Sequence, residues 1–169
     1  MLNLETMEKP SFIKNYNEIQ SGDTAHYPGS DELLCLTSDF GRKLGLKRMG
    51  VGLDVLPPGR RSSWPHTHSH EEEFVYVVSG QPQVWLDGNV YALQPGDGVA
   101  FPAGTGIAHT FINDTKEDVH LLVVGEQKNR EDKCFYPLHP KRNEEISYLW
   151  KEVPTHPLGP HDGKPSAKE

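Results

Sequence analysis

The sequence predicts an all-β fold, namely a jelly roll in which two antiparallel sheets stack around one core. Short stretches rich in β-branched and aromatic residues recur about every eight to twelve residues through the middle of the chain, a spacing typical of sandwiches and barrels. Glycine and proline separate these stretches, and hardly any segment there repeats apolar residues with the period of a helix. Stacked or closed sheets are favoured because they leave few strand edges exposed.

The predicted strands follow one another with a turn signal after most of them. Pro57, Pro58 and Gly59 stop the second strand, because proline cannot donate to a ladder and glycine bends the chain. Asp87-Gly88 predicts a tight hairpin, since this turn needs positive φ angles that Asp and Gly tolerate. The strands are predicted at residues 33–36, 51–56, 73–78, 83–86, 90–93, 99–101, 107–112 and 119–124.

Composition divides the chain into an arm, a barrel and an extension. Residues 1–30 form the N-terminal arm, residues 31–136 the β-barrel domain, and residues 137–169 a C-terminal extension rich in proline. The arm is predicted to hold one short helix at most. The extension is predicted to hold a short helix at 143–151, with acidic residues in its first turn. The rest of the extension is expected to lie on the barrel or on a second subunit.

Histidines and glutamates concentrate between His66 and Glu73, and a further histidine, His109, lies in a later strand. Imidazole nitrogens and carboxylate oxygens suit manganese, iron, nickel, copper and zinc, so this inventory predicts a transition-metal site. Residues two apart on a strand share a face and lie about 6.6 Å apart, so His68 can converge on an ion with either His66 or His70. His66 and His70 would be about 13 Å apart, which leaves one outer histidine over.

Glu73 is the preferred carboxylate ligand among the neighbouring glutamates. It begins the strand predicted at 73–78, whereas Glu71 and Glu72 fall in the polar connector before that strand. A carboxylate at the start of a strand is held more firmly than one on a mobile connector. Glu71 and Glu72 are therefore expected to be solvated surface charge.

Two stretches of the chain resemble the two motifs of the cupin superfamily. The residues that carry the resemblance are Gly59, His66, His68, Glu73 and Gly80 in the first, and Gly96, Pro102, Gly104, His109 and Asn113 in the second. Each motif departs from the usual spacing in one loop. One extra residue precedes His66, and two extra residues precede His109, although Gly106 restores the usual count there. The resemblance covers about residues 45–126.

The resemblance implies a double-stranded β-helix, the barrel of that superfamily. It also implies a ligand set for a divalent metal ion, consisting of His66, His68, Glu73 and His109. His70 is then left as a residue that supports the ligands or contacts substrate. A homodimer is implied as well, and the N-terminal arm is expected to contribute to its interface.

No residue is singled out by its spacing as an acid or a base. At the expected barrel mouth, His70, Glu72 and Tyr91 are the candidate catalytic residues, because imidazole, carboxyl and phenol groups can exchange protons. Trp64 and Trp85 are instead predicted to pack in the core, where large aromatic side chains bury most surface.

Composition and charge argue against several classes of function. A formal net charge of −7 over 169 residues does not suit nucleic-acid binding, which needs clustered lysine and arginine. Cys35 and Cys134 are too few for a disulfide framework and indicate thiols in a reducing compartment. The N-terminus lacks a secretory pattern, and no apolar run approaches the roughly 20 residues of a membrane span. A cytoplasmic protein is expected.

The leading hypothesis is a small metalloenzyme, of the dioxygenase, isomerase or lyase type, that acts on a small metabolite inside the barrel. One alternative is a non-catalytic cupin that binds a metabolite or a metal, or that regulates. Another is a metal-free cupin similar to the sugar epimerases, in which His66 or His109 would act as the base. One such scaffold supports many activities, so the metal (Fe, Mn, Ni, Zn or Cu), the substrate and the reaction stay open at this point.

Overall fold

The computed structural model describes residues 8–127 and 131–166. Its helices are short: α1 (Tyr16–Ile19), α2 (Phe40–Lys43) and α3 (Pro140–Glu145). None of the helices in these ranges has the length and apolar character needed to cross a bilayer. The strands are β1 (Leu36–Asp39), β2 (Met49–Leu56), β3 (Arg60–Arg61), β4 (Thr67–His68), β5 (Glu73–Ser79), β6 (Gln83–Leu86), β7 (Asn89–Ala92), β8 (Gly98–Phe101), β9 (His109–Asn113), β10 (Val119–Glu126) and β11 (Cys134–Phe135).

Most strands belong to one of two antiparallel sheets. One sheet has five strands in the order β1-β2-β10-β5-β8, and the other has four in the order β3-β9-β6-β7. Strands β4 and β11 pair as a separate antiparallel ladder. Many neighbours within a sheet are distant in sequence, as in a jelly roll. The predicted all-β jelly-roll barrel is therefore confirmed.

The core lies between the inner faces of the two sheets. On β5, Val75 and Val77 are buried, whereas Tyr76 between them is exposed. Val84 and Phe111 of the facing sheet belong to the same cluster. Burying an aliphatic or aromatic side chain of this size contributes about 1.5–3 kcal/mol, so this layer supplies much of the stability. The cluster comprises Cys35, Leu56, Val75, Val77, Val84, Phe101, Phe111, Val119 and Leu121.

The interior is open at the level where β5 begins, because glycines replace large side chains on the inner face. Gly125 of β10 lies opposite Gly50 on one neighbouring strand and opposite Glu73 on the other. One step further along, Gly52 lies opposite Val123. Residues directly opposite each other point to the same face of a sheet. Space is thus left inside the barrel beside the Glu73 side chain.

The first strand begins later than the apolar pattern predicted. The prediction placed it at 33–36, whereas β1 pairs with β2 from Leu36, opposite Val55, to Asp39, opposite Gly52. The inner face of β1 borders the open interior and is polar, so the apolar run stops before the strand does. The two-residue strands β3, β4 and β11 were not predicted either, because they are too short to show an alternating pattern.

Two helices were predicted outside the barrel, and two are found there among the described residues, although one of them lies at a different position. The short helix predicted in the arm is α1, which begins after Asn15 with a complete capping box formed with Glu18. The helix predicted at 143–151 is instead α3 (Pro140–Glu145). Its start is set by Pro140, whose fixed φ and missing N–H suit the first turn of a helix.

The C-terminal extension lies on the outer face of the four-stranded sheet. The Trp85 indole N–H donates to the carbonyl of His161 at 2.8 Å, and the Arg61 guanidinium donates to the carbonyl of Gly163 at 2.8 Å. Both side chains are buried, so the predicted packing role of Trp85 is confirmed. Trp64, the other predicted packing residue, lies against a smaller cluster of buried side chains. The extension therefore provides a second apolar layer outside the barrel.

We expect Gly88→Ala to destabilise the protein by about 3 to 5 kcal/mol, because a Cβ at Gly88 would overlap the backbone of Gly159 in the extension. Gly96→Ala is the matched control, since Gly96 also has a positive φ but nothing lies within 4 Å of its Cβ position. That variant should lose only about 1–2 kcal/mol. Urea unfolding of both variants measures the difference. Equal losses would show that the extension does not depend on this contact.

Candidate metal centre

Three strand ends and one isolated bridge bring the predicted ligands together. His68 ends β4, Glu73 begins β5 and His109 begins β9. His66 precedes β4 and forms an isolated antiparallel bridge with His109, in which each backbone N–H donates to the other residue's carbonyl, at 3.2 and 2.9 Å. The bridge joins the two segments that carry the ligands, although they are far apart in sequence.

The ligand atoms of His66, His68 and Glu73 all lie within 4.8 Å of one another. His109 stands beside them, with its Nε2 3.8 Å from Oε2 of Glu73 and its ring centroid 4.9 Å from that of His66. Three imidazoles and one carboxylate thus lie close together, with His109 next to Glu73 and His66. Of the two histidine pairs that strand geometry left open, the structure brings together His66 and His68.

His109 shows that this arrangement suits a bound cation. Its side chain is buried and stacks on Phe101, with ring centroids 3.6 Å apart. Neither ring nitrogen has a hydrogen-bond partner within the described part of the chain. A buried polar atom without a partner destabilises a fold by about 1–3 kcal/mol, and such atoms are rare in native proteins. A metal ion bound by Nε2 would supply an interaction for one of these two nitrogens.

His66 is held in the orientation that a ligand needs. Its Nδ1 lies 2.8 Å from the Trp64 carbonyl, so Nδ1 carries the proton and Nε2 keeps its lone pair. Burial, together with the neighbouring His109 and His68, lowers the pKa of His66 to about 3. The ring is therefore neutral at physiological pH, as a metal ligand must be.

His68 is held by a carboxylate that the sequence did not point to. Asp132 Oδ2 lies 2.6 Å from Nδ1 of His68, and the Cys134 thiol lies 3.3 Å from the same nitrogen. Burial opposes the charged state of both partners, but their hydrogen bond outweighs it, so it raises the pKa of His68 and lowers that of Asp132. The only sequence signal was that Asp132 lies near Cys134. Its distance from the histidine cluster in sequence hid the contact.

Glu73 is ionised at the centre of this group. Burial alone would raise its pKa, but the contact with His109, with smaller contributions from the other two histidines, holds the pKa at about 2. An ionised carboxylate beside imidazole nitrogens is the donor set that borderline divalent metals prefer.

The candidate catalytic residues do not join this group. His70 is exposed, and its Nδ1 pairs with the adjacent Ser69 hydroxyl at 2.8 Å. Glu72 is exposed as well. Tyr91 is 53% exposed on β7, the edge strand of the four-stranded sheet, two strands away from His109 on β9. The structure thus places these three side chains apart from the ligands.

An open cavity of about 340 Å³ borders Glu73 on the inner face of the five-stranded sheet. Glu71 lines this cavity, and its carboxylate lies against Gly125, 3.0 Å from where a Cβ would be. Burial, together with the charges of Asp132 and Glu73, raises the pKa of Glu71 to about 7. The prediction of solvated charge therefore fits Glu72 but is wrong for Glu71, because the connector folds inward at that residue.

Asp54 lines the same cavity from β2. Its Oδ2 accepts a hydrogen bond from the Cys35 thiol at 3.4 Å. Burial raises the pKa of Asp54 to about 6, and the negative charge of Glu73 contributes to the shift. The sequence did not single out Asp54, since a lone acidic residue in an apolar strand carries no spacing signal.

Comparisons with known proteins agree on the family of this barrel. A family model for the cupin domain matches residues 52–125. A solved structure from Acidithiobacillus ferrooxidans, described as a "Putative sugar phosphate isomerase", is 30% identical. It covers 75% of this chain and 81% of its own, with a TM-score of 0.65. A sugar phosphate isomerase of the cupin superfamily from Silicibacter pomeroyi is 35% identical over 60% of this chain and 64% of its own, with a TM-score of 0.57.

Curated relatives match over a shorter segment. Polyketide synthase CurC from Streptomyces cyaneus is 38% identical over 72 residues, which is 43% of this chain and 45% of that protein. The chain spans about half the length of the curated relatives it matches.

We expect Asp54→Asn to stabilise the metal-free protein by roughly 2 to 3 kcal/mol at pH 8 and to have little effect near pH 4. The folded pKa of Asp54, about 6, lies above the ordinary value of 3.8. The protonated form therefore folds without penalty, and stability is lost as the pH rises between these values. Urea unfolding at both pH values, with a chelator present, measures the effect. Asp114→Asn, at an exposed position, is the control, and a pH-independent effect of Asp54→Asn would contradict the prediction.

Proposed function

This chain belongs to the cupin superfamily, and from that premise we propose that it is a metal-dependent enzyme that isomerises a small hydroxy-carbonyl metabolite. The divalent ion would be held by His66, His68, Glu73 and His109. The substrate would lie in the cavity beside Glu73. The observation that carries the proposal is the buried His109 ring. Its nitrogens have no hydrogen-bond partner among the described residues, although His66, His68 and Glu73 lie close by.

The donor set restricts which ions fit. Three imidazoles and one carboxylate suit iron, manganese, nickel, zinc and copper, and four protein ligands leave positions open on an ion that accepts five or six. A bound ion would supply Lewis acidity, which polarises a carbonyl or hydroxyl oxygen of the substrate.

Glu71 is the residue of this chain best placed to move a proton. It lines both the cavity beside Glu73 and a smaller cavity lined by His68 and His109, so it stands between the ligands and the substrate space. A carboxylate there can take a proton from the hydroxyl-bearing carbon next to a carbonyl and return it to the carbonyl carbon, while the hydroxyl proton passes to the carbonyl oxygen through an enediol. That transfer is an isomerisation. The sugar phosphate isomerases among the similar structures, at 30% and 35% identity, support this reaction type over the dioxygenase and lyase types.

The substrate space suits a small polar molecule. Gly50, Gly52 and Gly125 leave the inner face of the sheet open, while Thr37 and Asp54 offer groups for hydrogen bonding to hydroxyls. Small-molecule sites are commonly concave, with a few polar groups that fix orientation. The homodimer and the cytoplasmic location stay predictions from the sequence.

One observation favours a second candidate, a metal-free cupin with a histidine base. That mechanism needs a histidine paired with a carboxylate, and His68 and Asp132 form such a pair at 2.6 Å. The base would then be His68, not His66 or His109 as the sequence suggested. Elemental analysis of the purified protein shows whether a metal is bound. Activity after exhaustive chelation then separates the two candidates, because the metal-free enzyme would keep full activity.

We expect His68→Ala to lose most of the bound metal and His70→Ala to retain it, because His68 faces Glu73 while His70 is exposed. Each variant is incubated with Zn²⁺ or Mn²⁺, desalted and analysed for metal per chain. His70→Ala is a close control, because it also removes an imidazole, at a position only two residues from His68. Equal retention in both variants would refute the ligand assignment.

We expect Glu71→Gln to slow proton transfer by about 10²- to 10⁴-fold without changing metal content. The protein is incubated in D₂O with glyceraldehyde, ribose, glucose, mannose and their monophosphates, and NMR follows deuterium entering the carbon next to the carbonyl. Exchange should stop on chelation and return with added ion. Glu72→Gln, at an exposed neighbour, is the control and should leave the rate unchanged. Exchange that survives complete chelation would support the metal-free candidate instead.

A further inference from the structure

Asp132 lies outside the stretch that matches the cupin model, residues 52–125, yet it contacts the candidate metal centre. Its Oδ2 is 2.6 Å from Nδ1 of His68, and its Oδ1 accepts hydrogen bonds from the backbone N–H groups of His70 and Glu71, at 2.9 and 3.1 Å. One carboxylate therefore holds both a proposed ligand and the backbone of the connector that carries the proposed proton-transfer residue.

The backbone around Asp132 is itself fixed to the ligand segment. Strand β11 pairs with β4, so that Cys134 lies opposite His68. Ser69 N–H donates to the Lys133 carbonyl at 2.9 Å, and Lys133 N–H donates to the Ser69 hydroxyl at 2.8 Å. The Asp132 side chain is only 9% exposed. Little freedom remains for the carboxylate, so its position relative to His68 is set by the fold.

The chemistry of this contact determines which nitrogen of His68 is available. An ionised carboxylate only accepts hydrogen bonds, so Nδ1 must carry the proton, and Nε2 then presents its lone pair toward Glu73 and His66. A carboxylate in this place also makes the imidazole a stronger donor to a metal. We propose that Asp132 is a positioning residue of the metal centre, which fixes the tautomer of His68 and anchors the Glu71 backbone. This inference rests on the proposed metal-dependent function.

A second ion between His68, Asp132 and Cys134 is the competing interpretation, since their ligand atoms also lie within 4.8 Å of one another. The 2.6 Å separation of Nδ1 and Oδ2 argues against it. Two donors bound tetrahedrally to one ion at bond lengths of roughly 2.0–2.1 Å lie more than about 3 Å apart. The short separation is that of a charge-assisted hydrogen bond, so a proton occupies this position.

The test is the affinity of Asp132→Asn for Zn²⁺, measured in the full chain by competition with a chromophoric chelator. The asparagine can still accept from the His70 and Glu71 N–H groups, but its amide N–H₂ opposes the Nδ1 proton of His68 and favours the wrong tautomer. We expect binding about 10- to 100-fold weaker than in the parent protein. Asp132→Glu, which keeps the carboxylate, should bind more tightly than Asp132→Asn. Asp114→Asn should stay within about twofold of the parent.

Histidine side-chain NMR of the Zn²⁺-loaded protein reports the tautomer directly, independently of affinity. We expect one hydrogen-bonded Nδ1–H signal of the parent to be lost or shifted in Asp132→Asn and retained in Asp114→Asn. Parental affinity and unchanged imidazole signals in Asp132→Asn would overturn the inference and leave the metal centre intact. Two ions per chain, the second lost in Cys134→Ser, would make Asp132 a ligand and overturn its positioning role. A parent protein that takes up no divalent ion would overturn the proposed function as well.

Discussion

The two backbone hydrogen bonds between His66 and His109 are the contact on which the site depends. They join a segment before β4 to the start of β9 and so set two imidazoles side by side, with ring centroids 4.9 Å apart. Because the bridge lies at the end of the four-stranded sheet, the histidines face Glu73 at the start of β5 in the other sheet. The stacked sheets thus supply the proposed ligands from both sides, and neither sheet could form the proposed site alone.

The interior around this site is less favourable for stability than an apolar core would be. The carboxyl groups of Asp54, Glu71 and Glu73 lie in or beside one cavity, and burial opposes the ionisation of each. Glycines at the same level leave space where apolar side chains would otherwise fill the barrel. The interior beyond this level, around Leu56 and Val119, is packed and apolar. Such a division is common in enzymes, where a stable scaffold supports a destabilising site.

The chain after β10 contributes both to the stability of the barrel and to the candidate site. Its tail covers the outer face of the four-stranded sheet through Trp85 and Arg61, while the segment just before it adds β11 to the ligand strand and brings Asp132 to His68. A chain limited to the part that matches the cupin model would lack both features. The geometry of the proposed ligands is therefore supported by residues outside the stretch that matches the cupin model.

The sequence by itself determined the fold class and the four proposed ligands. Strand periodicity, the turn at Asp87-Gly88 and the resemblance to the cupin motifs all depend on local patterns, which need no tertiary information. Sequence reasoning failed where the pattern was short or polar: it placed β1 too early and assigned Glu71 to solvent. A strand whose inner face borders a cavity lacks the apolar signal on which such predictions depend.

Strand geometry alone left His66 and His70 open as partners of His68, and the structure agrees with the cupin resemblance in bringing His66 beside His68, because the bridge to His109 holds His66 there. Only the tertiary structure revealed the contacts of Asp54 and Asp132. Asp132 contacts His68 across 64 positions of sequence, and Asp54 faces Glu73 from another strand. These contacts arise from the register of the large sheets and from the pairing of β11 with β4. Both are set by the summed burial of many residues, which no local pattern records.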